Sequence, residues 1–310
     1  MSYLYTFGFR PEEQALCQLE MRMFFGEHSE RNVLQSDVLI EPSRSPFIRE
    51  RLFILTRANS MEQLKEQVAD ISAGDKRYKV FCLHRERIAG DEKWSLSNRR
   101  QLERTLGLLV EGEVDLEQPE LLYGVVYLDG EWLFGELVEG EAVWLKHQQR
   151  PVGYSTALSA KHARALVNIA VPHIEGVRLI DPCCGVGTVL IEACSMGVDV
   201  TGRDMNWFVT SGSRENLAHF GYECDVVLGP IEEATGHYDV ALIDMPYNVF
   251  THSSEEAKSS IIESAHVLAD RVVFVSSEMI EEPILVAGFK IIDRCEILKQ
   301  QFKRTVFVCE

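Results

Sequence analysis

The sequence predicts an α/β chain in which a doubly wound sheet with an antiparallel terminal hairpin follows an α+β region. Three observations carry this. Val177-Arg178-Leu179-Ile180 is a short β-rich run that meets Gly185 and Gly187, then a helically spaced segment from Thr188 to Met196 with Val189, Leu190 and Ala193 on one face. Val240-Ala241-Leu242-Ile243 is a second buried-type strand, and it stops abruptly at Asp244-Met245-Pro246-Tyr247. Lys290 to Leu298 and Thr305 to Cys309 then read as two strands, joined by a loop holding Lys299, Lys303 and Arg304. Three cations in such a loop are expected to be solvated or to meet phosphate.

The amino-terminal half has its own alternation. Tyr3 to Phe9 and Phe53 to Thr56 read as strands, Glu12 to Phe25 and Met61 to Ile71 as amphipathic helices, Tyr78 to Leu83 as a strand and Ser95 to Leu109 as a helix. Leu122 to Leu128, the turn Asp129-Gly130, Trp132 to Leu137 and Ala142 to Leu145 then form a meander. The polar stretch Gln148-Gln149-Arg150-Pro151 marks a boundary, giving domains 1–148 and 149–310. In the second of these, Asp199 to Arg203 and Asp225 to Leu228 are further strands, Glu255 to Leu268 is a helix, Val272 to Val275 a strand, and Met279 to Ala287 a helix that Gly288 ends.

The chemistry gathers at the strand ends. Glycines at 185 and 187 permit positive φ and bring backbone close to a ligand at the positive end of a helix. A dinucleotide fingerprint would need a third glycine at Leu190, and a carboxylate at Asp181 is awkward beside a pyrophosphate. Asp181 suits a cationic ligand, and S-adenosylmethionine has a positive α-amino group. Asp204, closing the second strand, can accept both ribose hydroxyls, or it can cap the helix near Trp207, a task for which Asn206 is equally suited. At the other strand end, the Asp244 carboxylate and a nearby carbonyl could accept hydrogen bonds from the two protons of an exocyclic amine. That would free the lone pair, and Tyr247 could stack on the extruded base.

Composition sets bounds. The chain has 310 residues and a formal net charge of −17, so at long range it repels polyanions. The charge is uneven: residues 51–100 hold eleven Lys or Arg against seven Asp or Glu, whereas 101–150 hold three against eleven. Lys76-Arg77-Tyr78-Lys79, Arg85, Arg87 and Arg99-Arg100 form a candidate phosphate stripe that reads equally as a solvated edge. No apolar run approaches the roughly 20 residues that cross a bilayer, and no secretion signal opens the sequence, so a cytosolic protein is expected. The eight cysteines are scattered without Cys-x-x-Cys, which predicts neither a zinc site nor a disulfide framework.

From about Pro151 onward the sequence resembles the catalytic domain of the tRNA guanine N2-methyltransferases, a branch of the class I S-adenosylmethionine-dependent enzymes. Arg150-Pro151, Ser155, Leu158, Ala163-Arg164, Leu166 to Ala170, the Asp181 turn through Ile191-Glu192-Ala193, and Asn216-Leu217 carry the resemblance in order. The stretch Val114 to Pro119, with Val125 to Gly130 and Phe134-Gly135, is similar to the end of a THUMP domain, which captures RNA and in this family follows a ferredoxin-like piece. The resemblance implies methyl transfer from S-adenosylmethionine to N2 of a guanosine in tRNA. Asp181, Cys183, Gly185, Gly187, Thr188, Asp204, Met205 and Glu232 would bind the cofactor, Asp244, Pro246 and Tyr247 would act on the base, and no metal is needed.

Two departures stand out. The family carries Asp-Pro-Pro-Tyr where this chain has Met245 in the first proline position, so proline's fixed φ is missing from the loop. The family's acid after the third strand, which holds the adenine amino group, is replaced by Gly229-Pro230, and Glu232 is the nearest substitute. Three other readings follow: an adenine-N6 methyltransferase of DNA or RNA, an RNA-binding relative with impaired catalysis, and a nicotinamide oxidoreductase, the last disfavoured by Leu190.

Overall fold

The computed structural model describes residues 2–83, 95–154, 157–246, 252–299 and 302–310. By contact the chain forms two compact units, one of Met1–Gly8, Ser29–Ser43 and Phe47–Glu141, the other of Phe9–His28, Arg44–Pro46 and Ala142–Glu310. The change of unit near the middle thus falls at Glu141/Ala142 instead of 148/149, and two amino-terminal segments join the second unit.

In the first unit, β1 (Tyr3–Phe7) is followed in the chain by α1 (Gln14–Phe25), which belongs to the other unit, and then by β2 (Val33–Ser36), β3 (Ile48–Ala58), α2 (Met61–Val68), β4 (Tyr78–Cys82), α3 (Leu96–Gly107), β5 (Leu121–Leu128) and β6 (Glu131–Glu139). The sheet order is β2-β1-β3-β6-β5-β4, antiparallel except for the β4–β5 pair. Strand alternation sorts the two faces: Tyr123 and Val125 cluster with Leu64, Val68, Leu102 and Leu106 of the two helices, whereas Val126 and Leu128 cluster with Leu4, Leu52 and Leu133. Ser60 and Ser95 cap α2 and α3 by accepting from the backbone N–H groups of Gln63 and Asn98. The Asp129-Gly130 hairpin turns with φ of 52° and 90°, the positive pair that a two-residue connection requires. Gly135 lies beside a bulge in β3, where a Cβ would come within 1.8 Å of the Phe53 carbonyl oxygen.

Two features of this half differ from the sequence reading. Strand β2 was not anticipated. Ala142 to Leu145 is not a strand: the chain makes a helical turn, α4 (Trp144–His147), whose His147 is buried with Nδ1 2.8 Å from Glu192 Oε1. Of the cationic stretch, Arg77 meets Asp115 at 2.7 Å and Glu120 at 3.5 Å, and Lys79 Nζ donates to the Leu116 carbonyl at 3.1 Å. Arg85 and Arg87 lie outside the described residues.

The second unit is built on a seven-stranded sheet. After α5 (Ala160–Ala170) come β7 (Arg178–Asp181), α6 (Thr188–Ser195), β8 (Asp199–Asp204), α7 (Trp207–Phe220), β9 (Asp225–Leu228), β10 (Tyr238–Asp244), α8 (His252–Leu268), β11 (Ala269–Ser276), α9 (Glu281–Val286), β12 (Ile291–Lys299) and β13 (Phe302–Cys309). The order β12-β13-β11-β10-β7-β8-β9 makes five strands parallel and inserts β13 antiparallel between β11 and β12. This is the doubly wound sheet with an antiparallel terminal hairpin that the sequence predicts. The winding reverses between β7 and β10, so their carboxyl ends border the crevice where such sheets bind ligands. Ile180, Ala241, Ile243, Ile262, Phe274 and Phe307 share one core beneath it.

The hairpin is longer than its sequence suggests. Lys303 and Arg304 are not in a loop; they pair in β13 with Leu298 and Ile297 of β12. Helix α1 packs on α5 and β12, burying Leu16, Leu19, Met21 and Phe24. It is tied down by polar contacts too: Arg22 makes a two-pronged bond to Asp293 at 2.7 and 2.9 Å, and buried Glu20 accepts from Asn168 Nδ2 at 2.7 Å and from Ser45.

Candidate active site

The turn after β7 is held open by its glycines. Gly185 has φ +53°, and a Cβ there would meet nothing within 4 Å. Gly187 has φ +80°, and its Cβ would lie 2.3 Å from Ser213 Oγ of α7, so this glycine is required by packing as well as by backbone angle. The turn closes on itself through Gly187 N–H to Cys184 O at 2.8 Å and is stapled to β8 through Cys184 N–H to Arg203 O at 2.9 Å.

Asp204 is fixed by the same turn. Its Oδ2 accepts from Gly185 N–H at 3.0 Å and its Oδ1 from Asn206 N–H at 2.9 Å, which leaves each oxygen a further lone pair toward the cavity. Asn206 is the cap of α7, its side chain accepting from Phe208 N–H at 2.9 Å. Asp204 is therefore not the capping residue.

A cavity of about 500 Å³ joins the two strand ends. Asp181, Cys183, Gly185, Thr188, Asp204, Met205 and Glu232 line it, and so do Asp244 and Pro246. Gly187 sits behind the wall as the first turn of α6 begins. Tyr247 lies outside the described residues. Glu232 follows Pro230 and accepts from Ser260 of α8. Among residues the sequence did not single out for the site, Tyr154, Ala157 and Leu158 close one side, and Ile231, Ala257 and Ile261 add apolar surface. Leu158 had only been noted as part of the family pattern. An aromatic just past the polar boundary was the available signal for Tyr154.

The carboxylates dominate the electrostatics. Asp181 is 2% exposed, and burial pushes its carboxyl well above the usual range despite a 3.2 Å bond from Cys183 N–H; Asp244 and Asp204 push it further up. Burial, then Asp181 and Asp204, raises the Cys183 and Cys184 thiols as well, so both are neutral packing groups. Arg304 of β13 stands with Nη1 3.9 Å from Asp244 Oδ2. Such a wall favours a ligand with a positive group near Asp181 and hydroxyls near Asp204.

Met245 stands where the resembled family carries proline. Its N–H donates to Val275 O at 2.8 Å, extending the β10–β11 pairing past Asp244, and its side chain is buried in the core beneath the cavity. A proline could not make that bond.

Residues 147–276 match the family described as UPF0020, RMKL-like, methyltransferase domain. The tRNA (guanine(10)-N2)-dimethyltransferase of Methanothermobacter thermautotrophicus is 31% identical over 60% of this chain and 58% of its own length. The enzyme of the same name from Methanocaldococcus jannaschii is 26% identical over 69% of this chain and 67% of its own. The chain thus spans about three-fifths to two-thirds of the length of these relatives. Among solved structures, TrmN from Thermus thermophilus superposes with a TM-score of 0.51 at 16% identity, covering 100% of this chain and 99% of that one. SMU.472, solved with SAH, gives 0.50 at 12% identity, covering 99% and 97%. At such identities the likeness is one of fold, that of the class I methyltransferases.

Proposed function

We propose, from a chain whose residues 147–276 match the UPF0020, RMKL-like methyltransferase-domain family and which is similar to tRNA guanine N2-methyltransferases, that it transfers a methyl group from S-adenosylmethionine to N2 of a guanosine in tRNA. The observation that carries this reading is the single cavity shared by the Gly185 turn and the Asp244 loop at the point where the sheet reverses its winding.

The residues present fit the cofactor. Burial and two neighbouring acids raise the Asp181 carboxyl, and an arriving ammonium group would offset both by favouring its anion. Asp204 would take the ribose hydroxyls, Met205 the adenine face, and Glu232 the adenine amino group. Cys183, Gly185 and Thr188 would shape the wall, with Gly187 holding the helix start behind it. When bound, S-adenosylmethionine supplies a methyl made electrophilic by a sulfonium.

The base would enter from the side of Asp244, Pro246 and Tyr247. An exocyclic amine is a weak nucleophile because its lone pair is delocalised into the ring. Asp244 and the Met245 carbonyl would accept hydrogen bonds from its two N–H groups, turn the nitrogen toward tetrahedral geometry and aim the lone pair at the methyl. After transfer, the proton lost from nitrogen would pass to Asp244. Positioning supplies most of the rate in such a step. The first unit, THUMP-like by resemblance, would capture the RNA in the cytosol.

The test is methyl transfer from labelled S-adenosylmethionine to unmodified tRNA, followed by a nucleoside digest. The native chain should yield N2-methylated guanosine, and Asp244→Ala should be slower by about 100-fold or more with cofactor affinity little changed. N6-methyladenosine in the digest would assign the adenine reading. RNA binding without cofactor binding would assign the impaired relative.

A further inference from the structure

We infer that Cys194 and Cys224 form an oxidisable dithiol, which hydrogen peroxide converts to a disulfide tying the end of α6 to the start of β9. Cys194 lies in the last turn of α6. Its carbonyl accepts from Gly197 N–H at 3.0 Å and the neighbouring Ala193 carbonyl from Val198 N–H at 3.0 Å, so the chain folds straight back into β8. Cys224 immediately precedes β9, whose first residue, Asp225, is paired with Thr201 of β8. The two cysteines therefore meet beside the start of β8. Their side chains line one pocket of about 390 Å³ together with Val198, Asp199, Val200, Glu223 and Asp225. A hydrogen bond joins the two sulfurs, and both thiols are free and only partly buried.

That hydrogen bond divides the roles. It holds the Cys194 thiol below its ordinary range against the opposing effect of burial, and the same bond, then burial, pushes Cys224 well above. The thiolate is the nucleophile, so Cys194 attacks and Cys224 resolves. Cys17, Cys82, Cys184, Cys295 and Cys309 are buried, and Cys183 is raised by burial and then by the cavity acids. Asp199, Glu223 and Asp225 line the pocket and repel an anionic oxidant, whereas an uncharged peroxide meets no such barrier. In the first step the Cys194 sulfur bonds to one peroxide oxygen and the O–O bond breaks. The second oxygen leaves as hydroxide and takes up the proton that Cys194 released, giving water and a sulfenic acid. The Cys224 sulfur then bonds to that sulfenic sulfur, the S–O bond breaks, and the hydroxyl leaves with the Cys224 proton as a second water. The two thiols lose two electrons and the peroxide gains them.

The experiment treats the reduced full chain with hydrogen peroxide, alkylates the remaining thiols in denaturant and maps the digested peptides by mass spectrometry. Native, Cys194→Ser and Cys224→Ser chains are compared. The native chain should yield the peptide pair linked through residues 194 and 224, and a reductant should restore both thiols. Cys224→Ser should stop at the sulfenic acid on Cys194, captured by dimedone. In Cys194→Ser, Cys224 should oxidise about tenfold or more slowly than Cys194 does in the native chain. Recovery of both native thiols in alkylated form overturns the inference. So does a disulfide that joins either residue to any other cysteine in place of this pair, or dimedone capture on Cys224 with Cys194 intact. Each readout is a peptide mass, so the result stands whether or not the chain transfers methyl groups.

Discussion

Leu190 of α6 occupies the space that Gly202 of β8 leaves open: a Cβ on residue 202 would sit 2.4 Å from Leu190 Cδ1 and 3.3 Å from Cys184 Sγ. The dinucleotide fingerprint places a glycine at position 190, where it lets helix and strand approach closely. The close approach is achieved all the same, with the small residue on the strand and the large one on the helix. Because Leu190 is fully buried, Gly202→Ala should lower stability by about 1–3 kcal/mol through overpacking. A double-mutant cycle with Leu190→Ala, followed by denaturant unfolding, should give a coupling of about 1 kcal/mol or more; additive losses would refute the pairing.

The two turn glycines should separate stability from binding. Gly187→Ala combines a left-handed backbone, worth about 1–2 kcal/mol, with collision against Ser213, and should cost clearly more stability than Gly185→Ala. Gly185→Ala meets no neighbour but adds a methyl at the cavity wall, so its larger effect should be on cofactor affinity. Thermal unfolding and calorimetric titration of both variants check this, and equal behaviour would contradict it.

Met245→Pro restores the family's residue yet should destabilise this chain. It removes the N–H bond to Val275 O, worth about 0.5–1.5 kcal/mol, and empties part of a packed core. Urea unfolding should show a lowered midpoint with an unchanged slope.

Stability should fall between about pH 4.5 and 7. Burial pushes Glu20 up to about 7, opposed by bonds from Ser45 and Asn168 and by the charges of Arg44 and Arg164. An acid whose folded value lies above its unfolded one binds more protons in the native state, so stability is highest below the unfolded value and is lost as pH rises through the folded one. For Glu20 this is on the order of 3 kcal/mol. Asp181 acts in the same direction. Melting curves of Glu20→Gln should be flatter across this window than those of the native chain; an identical slope would rule the assignment out.

Residues 149–310 alone should be a poor substitute for the second unit. They lack α1, so α5 and β12 lose their apolar cover and Asn168 and Asp293 lose their partners. That fragment should unfold at lower urea than the full chain and aggregate more readily, as light scattering would report.

Much of this architecture was readable because the local signals are strong. The strand, glycine turn and helix at 178–195 and the abrupt end at Asp244 need only short-range pattern, and the cavity follows from where a doubly wound sheet reverses. What escaped depends on distant partners. Val33–Ser36 has two apolar residues and is a strand only because β1 lies beside it. The four residues from Ala142 fit strand or helical turn equally by hydrophobicity. The amphipathic pattern of α1 announces a buried face but not which sheet will cover it. Arg304 looked like a loop cation because Phe302 and Lys303 do not read as strand until β12 is placed opposite them.

The placement of α1 has a temporal side. Gln14–Phe25 is synthesised before its partners in α5 and β12, which follow it by roughly 145 to 285 residues. The helix must wait, apolar face uncovered, until β12 has been made, which makes folding of the second unit non-vectorial and slow by the measure of sequence separation. A nascent chain halted before residue 291 would hold the helix without its strand, a state that chaperones recognise by its exposed Leu16, Leu19 and Phe24.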